Sequence, residues 1–176
     1  MLSDRGEIDI DFCVPSTTLV AKMVRWMVVF ESDPDADEVW LLKGAPRRYF
    51  RGNASSAAPA APWCPAGSAM CVANALTRFG AFGVVVAADG ADIAATVRLD
   101  LHGGGFVSPS SEPRLRLVIR LRDADGRRTL SPGAVSISDN TAGAELGDVD
   151  ALAETVSVWV PSPAANASFV LRAQLR

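Results

Sequence analysis

An antiparallel β-sandwich, mainly β with one N-terminal amphipathic helix, is the fold class this sequence predicts. Two strictly alternating stretches carry the prediction. From Arg114 to Arg122, Leu115, Leu117, Ile119 and Leu121 fall on one phase, and Arg114, Arg116, Arg120 and Arg122 on the other. From Ile93 to Leu101, Ile93, Ala95, Val97, Leu99 and Leu101 oppose Thr96, Arg98 and Asp100. Successive side chains leave a strand on opposite faces, so this period with one wet side marks a sheet packed on one face. The third observation is punctuation. Ala88-Asp89-Gly90 and Asp123-Ala124-Asp125-Gly126 are turn signals between short apolar runs, and no second long helical pattern follows residue 69.

In chain order, the alternation of Glu7 to Phe12 predicts a short edge strand. Ser16 and Thr17, just after Pro15, can accept from the free N–H groups of a first helical turn. Leu19, Val20, Met23, Trp26, Met27 and Phe30 then recur at helical spacing, which predicts a helix over about 16–30. The acids Asp33, Asp35 and Asp37 alternate as in a calcium loop, but Glu38 stands where the sharp-turn glycine belongs and Gly44 where the bidentate glutamate belongs. A solvated turn is the better reading. Val39-Trp40-Leu41-Leu42 reads as a strand, and Pro46 suits the start of a short helical turn. Residues 51–68, rich in Ala, Pro, Ser and Gly, read as a flexible loop. Further strands are expected at 69–73, 82–88, 93–101, 114–122, 133–137, 154–160 and 169–175. The domain reading is an N-terminal segment at 1–38 and a sandwich at 39–176.

Composition narrows the function. With 176 residues, 49% hydrophobic, the chain can bury a core, and a net charge of −3 with dispersed arginines argues against a nucleic-acid partner. No apolar stretch reaches the roughly 20 residues of a membrane span, and no signal peptide is read behind Asp4 and Glu7; the localisation stays open. Of Cys13, Cys64 and Cys71, the last two bracket a short loop and can pair, but reduced thiols are the favoured reading. Asn53-Ala54-Ser55 and Asn166-Ala167-Ser168 match the glycosylation sequon and are read as chance.

His102-Gly103-Gly104-Gly105 follows a strand, as an oxyanion-binding run does, but His102 is the single histidine and no G-x-S-x-G elbow occurs. No phosphate loop is present. No catalytic residue, cofactor or metal site is therefore assigned. The arginines at 114–122 admit an anion-binding stripe or a solvated sheet face, and the solvated face is preferred.

The run Val39-Trp40-Leu41-Leu42-Lys43-Gly44-Ala45-Pro46-Arg47-Arg48-Tyr49-Phe50 resembles the C-terminal part of six-hairpin, (α/α)6-barrel glycoside hydrolase-like proteins, in which an apolar LWLL precedes GxPRxW. Asn74-Ala75-Leu76-Thr77-Arg78-Phe79-Gly80 is similar to that family's NAPTxxG element, with Leu76 in place of the proline, and Arg114–Arg122 is similar to its LRLRxP strand. The resemblance spans about residues 15–175 but only the tail of the family's length. It implies a β-sandwich following a helical barrel, a fragment or accessory domain linked to carbohydrate metabolism. The barrel's acidic catalytic residues have no counterparts here.

The candidate site residues are Trp26, Trp40, Arg47, Arg48 and Tyr49. On the first reading they mark, with Met27, a surface that a catalytic helical barrel would cover. On the second they stack on carbohydrate in a free-standing binding module. A third reading is a structural or interaction domain with no small ligand. An exposed apolar patch on the helix distinguishes the first; a coplanar exposed pair among Trp40, Tyr49, Trp63 and Trp159 distinguishes the second.

Overall fold

A computed structural model describes residues 22–31, 35–51, 65, 68–102, 105, 106, 113–162 and 164–176. Helix α1 is described over residues 22–28 and runs directly into strand β1 (Val29–Glu31). The helix thus ends earlier than its stripe predicts. Val29 and Phe30 pair instead with Leu41 and Trp40 of β2 (Glu38–Leu41). A β-branched residue followed by an aromatic fits a pleated surface, and the strand conformation buries Val29 in the core. The expected strand at 7–12, the start of the helix, and most of the loop at 51–68, Trp63 included, lie outside the described residues.

After β2 comes a single 3-10 turn, Arg47–Phe50, behind Pro46 as expected. The remaining strands are β3 (Met70–Thr77), β4 (Gly80–Asp89), β5 (Asp92–Leu101), β6 (Arg114–Arg120), β7 (Leu130–Ser138), β8 (Glu145–Asp150), β9 (Thr155–Pro161) and β10 (Ala164–Leu175). They form two five-stranded sheets, ordered β1-β2-β6-β9-β8 and β3-β4-β5-β10-β7. The predicted sandwich is present.

Among the described residues all strand pairings are antiparallel but one. β2 and β6 run parallel, with Glu38 opposite Arg116 and Leu41 opposite Ile119. Between them the chain crosses to the second sheet and returns, a connection long enough for a parallel neighbour.

Leu115, Leu117 and Ile119 of the first sheet join Phe82, Val97, Leu99 and Phe169 of the second in one buried cluster. Each such side chain contributes about 1.5–3 kcal/mol by leaving water. Along one long side of the sandwich β7 lies against β8. Along the other, α1 bridges the edge strands. The Arg25 guanidinium donates to the Leu76 carbonyl on β3, and Arg25 and Arg78 approach Glu31 at 3.8 and 3.9 Å.

The cysteine expectation is corrected. Cys71 is disulfide-bonded. It is half-buried on an edge strand, opposite Val85 and on the side away from the core, where a thiol stays reachable by another. Cys13 and Cys64 lie outside the described residues.

Candidate functional site

Over its described residues the helix does not turn its apolar side chains inward. Met23, Val24, Trp26 and Met27 are between 38% and 55% exposed, and Leu76 on neighbouring β3 is 68% exposed. α1 is anchored by its polar side, through Arg25, and by its C-terminal backbone. Leu42 N–H donates to the Val28 carbonyl and Gly44 N–H to that of Met27 at 3.0 Å. Gly44 has a steric reason to be glycine, since a Cβ there would sit 3.0 Å from Met27 Cγ.

Trp26 and Trp40 meet through Phe30. The Trp26 and Phe30 rings stand perpendicular at 6.4 Å, and Phe30 is the cross-strand partner of Trp40. Lys43 Nζ lies 4.1 Å from the Phe30 centroid and 4.6 Å from that of Trp40, and Lys22 Nζ is 5.9 Å from Trp26. Trp40 Nε1 donates to Glu38 at 2.6 Å.

The rest of the motif serves a different end. Arg47 donates to Glu154 Oε1 at 2.6 Å and to the Asp123 carbonyl at 3.2 Å. Arg122 Nε stands 3.2 Å from Glu154 Oε2, and its Nη1 donates to the Ala45 carbonyl at 3.0 Å. Glu154, 5% exposed, therefore holds two guanidinium groups from distant parts of the chain. Burial first, and then the charges of Arg120 and Arg47, lower the Arg122 pKa, against the pull of Glu154. Arg48 and Tyr49 are exposed on the 3-10 turn, with the guanidinium 5.3 Å from the ring. The structure joins Trp26 to Trp40, places Arg47 in an ion pair with the buried Glu154, and leaves Arg48 and Tyr49 apart from both.

A cation lies against each described tryptophan and the tyrosine. Lys22 pairs with Trp26, Lys43 with Trp40, Arg48 with Tyr49, and Arg116 with Trp159 at 6.0 Å. A sugar stacking on such a face has to displace an attractive contact worth about 0.5–1 kcal/mol when exposed. The two ring pairs among the described residues, Trp26–Phe30 and Phe79–Phe106, are perpendicular and tilted by 56°, neither being the coplanar platform a stacking module presents.

The arginine face of β6 is not simply solvated. Arg114 pairs with Glu145 at 2.7 Å, Arg116 with Glu38 at 3.0 Å, and Arg120 donates to the Lys43 carbonyl at 3.0 Å. The leucine–arginine alternation predicts the face and says nothing of its partners, which come from β2, β8 and the segment after β2. Glu154 is the residue the sequence hides, because its ligands lie far away along the chain. Among the described residues no three His, Cys, Asp or Glu side chains converge as metal ligands, and no helix is long and apolar enough to cross a membrane.

The fold and this surface define a two-sheet β-sandwich with a helix presented at one edge. No family model, curated protein or solved structure matches the chain.

Proposed function

We propose that this chain is a non-catalytic β-sandwich module that docks on a helical domain through the outward face of α1. The reading rests on one observation: Met23, Val24, Trp26 and Met27 are exposed together on the described part of a helix that the sandwich holds through Arg25. Contiguous apolar exposure of this kind marks interaction surfaces. The resemblance of the Val39–Phe50 motif to the tail of barrel-containing glycoside hydrolase-like proteins supplies the partner class, an (α/α)6 barrel in carbohydrate metabolism. The disulfide at Cys71 supports an oxidising setting for the working protein.

The test is a binding titration between this chain and a barrel domain of a glycoside hydrolase-like protein from the same genome. A stoichiometric complex is expected, weakened at least about tenfold by the double change Met23→Ser and Trp26→Ser. Both side chains are exposed, so thermal melting should hold. Absence of a complex with every such barrel, or a complex indifferent to the double change, overturns the reading.

A further inference from the structure

The outer face of the second sheet carries a feature that the docking reading does not use. The register of the second sheet shifts at three places among the described residues, and two of these, on β3 and at the start of β10, are β-bulges that each hold an asparagine. On β3 the register shifts between Val72 and Ala75, setting residues 73 and 74 against Gly83 of β4. On β10 it shifts between Ala164 and Ala167, setting residues 165 and 166 against Asp100 of β5. Each bulge holds an asparagine in the left-handed region, Asn74 at φ 51° and Asn166 at φ 50°. Bulges re-aim side chains, and asparagine is among the few non-glycine residues that tolerate this backbone.

Both asparagines line one open trough of about 570 Å³ on the outer face, together with Gly83, Arg98, Asp100 and Ser168. The trough spans from β3 to β10, three strand spacings or about 14 Å, the reach of a short oligosaccharide. Its floor is low because Ala81 and Gly83 supply almost no side chain there. The exposed side chains of Asn74, Asn166 and Asp100 engage no partner among the described residues.

We infer that this trough is a saccharide-binding site in which Asn74, Asp100 and Asn166 read ligand hydroxyls. The chemistry selects the class. Each amide offers a donor and an acceptor to neighbouring hydroxyls, and the carboxylate adds acceptors. Arg98 and Asp100 carry opposite charges, so the lining favours neutral polar ligands over ions. The one aromatic residue of the lining, Phe82, is buried in the core and offers no stacking face. Recognition is by hydrogen bonding along an open face.

The experiment is calorimetric titration of the whole chain with linear trisaccharides of glucose, of mannose and of N-acetylglucosamine, each to about 10 mM, ten times a millimolar Kd. At least one binds. Asn74→Gly and Asn166→Gly each weaken it about tenfold or more, while melting temperature holds or rises, because glycine takes a left-handed backbone without a Cβ clash. The joint change Met23→Ser and Trp26→Ser leaves sugar binding intact, so this site and the docking surface stand or fall separately. No heat with any of the three sugars overturns the assignment. So does affinity that survives the double glycine variant, or that Trp159→Ala abolishes instead.

Discussion

On its outer face the first sheet carries long side chains that hold one another. Glu38, Arg116, Trp159 and Glu145 lie in register across β2, β6, β9 and β8, with Glu38 paired to Arg116 and Arg116 set beside the Trp159 ring. Lys43 spans Phe30 and Trp40 on the same side. The outer face of the second sheet is rich in small residues, with Ala81 and Gly83 on β4, Ala94 and Thr96 on β5, and Ser136 and Ser138 on β7, and its longer side chains, Arg98, Asp100 and Arg172, stand among them. Both faces arise from the same alternation of strand side chains. They differ in reach: arginine, glutamate and tryptophan can bridge neighbouring strands, and alanine, glycine and serine cannot. The first face stiffens the sandwich, and the second leaves room above the sheet.

Breaking the first face should cost far more than altering the second. The largest effect is expected of Glu154→Gln, which leaves Arg47 and Arg122 without their shared counter-charge. Removing one member of a buried pair costs about 3 kcal/mol, read as a lower midpoint in urea unfolding. An unchanged midpoint would show that the two guanidinium groups are satisfied by water.

Next comes Asp123, 9% exposed, whose Oδ2 accepts the backbone N–H groups of Arg127 at 2.7 Å and Arg128 at 3.1 Å. Burial raises its pKa, but those backbone donors and the Arg128 charge outweigh it, and the net direction is down. A lowered carboxyl stabilises fully above its unfolded value, near pH 4, and that stability is lost as pH falls through the folded value. Asp123→Ala should cost about 2 kcal/mol at neutral pH by stranding two N–H groups, and it should flatten the acid limb of the stability profile. An acid limb identical to wild type would remove Asp123 from the account.

Lys43→Ala should cost only about 0.5–1 kcal/mol, the size of a partly exposed cation–aromatic contact, and should alter tryptophan emission through Trp40. Smallest is Ser136→Ala on the second face, expected within about 0.5 kcal/mol of wild type by thermal melting. A loss as large as that for Lys43→Ala would mean that the second face is also load-sharing, and the contrast would collapse.

The strands that the sequence makes legible are those whose side chains meet one dry and one wet surface. β5 and β6 are the clearest, and β4 shows as an apolar run ended by a turn. β1 escapes because Phe30 continues the helical stripe that precedes it and Val29 falls within the expected helix. β8, Glu145–Asp150, escapes because an edge strand with a bulge and exposed acids has no alternation to read. Of the candidate residues, Trp26 and Trp40 do come together, through a cross-strand pair that needs β1 to exist. Arg47 resembles a surface cation in sequence, and its ion pair with Glu154 spans most of the chain.

Periodicity, turn residues and composition alone determined that this chain makes sheets with one buried face, led by a single helix, because those signals act over a few neighbouring residues. Which strands neighbour one another, that β2 runs parallel to β6, that the helix shows its apolar side outward, and that two bulged asparagines share one trough were decided only in three dimensions. Each depends on contacts between segments tens of residues apart, whose free energy no local pattern records.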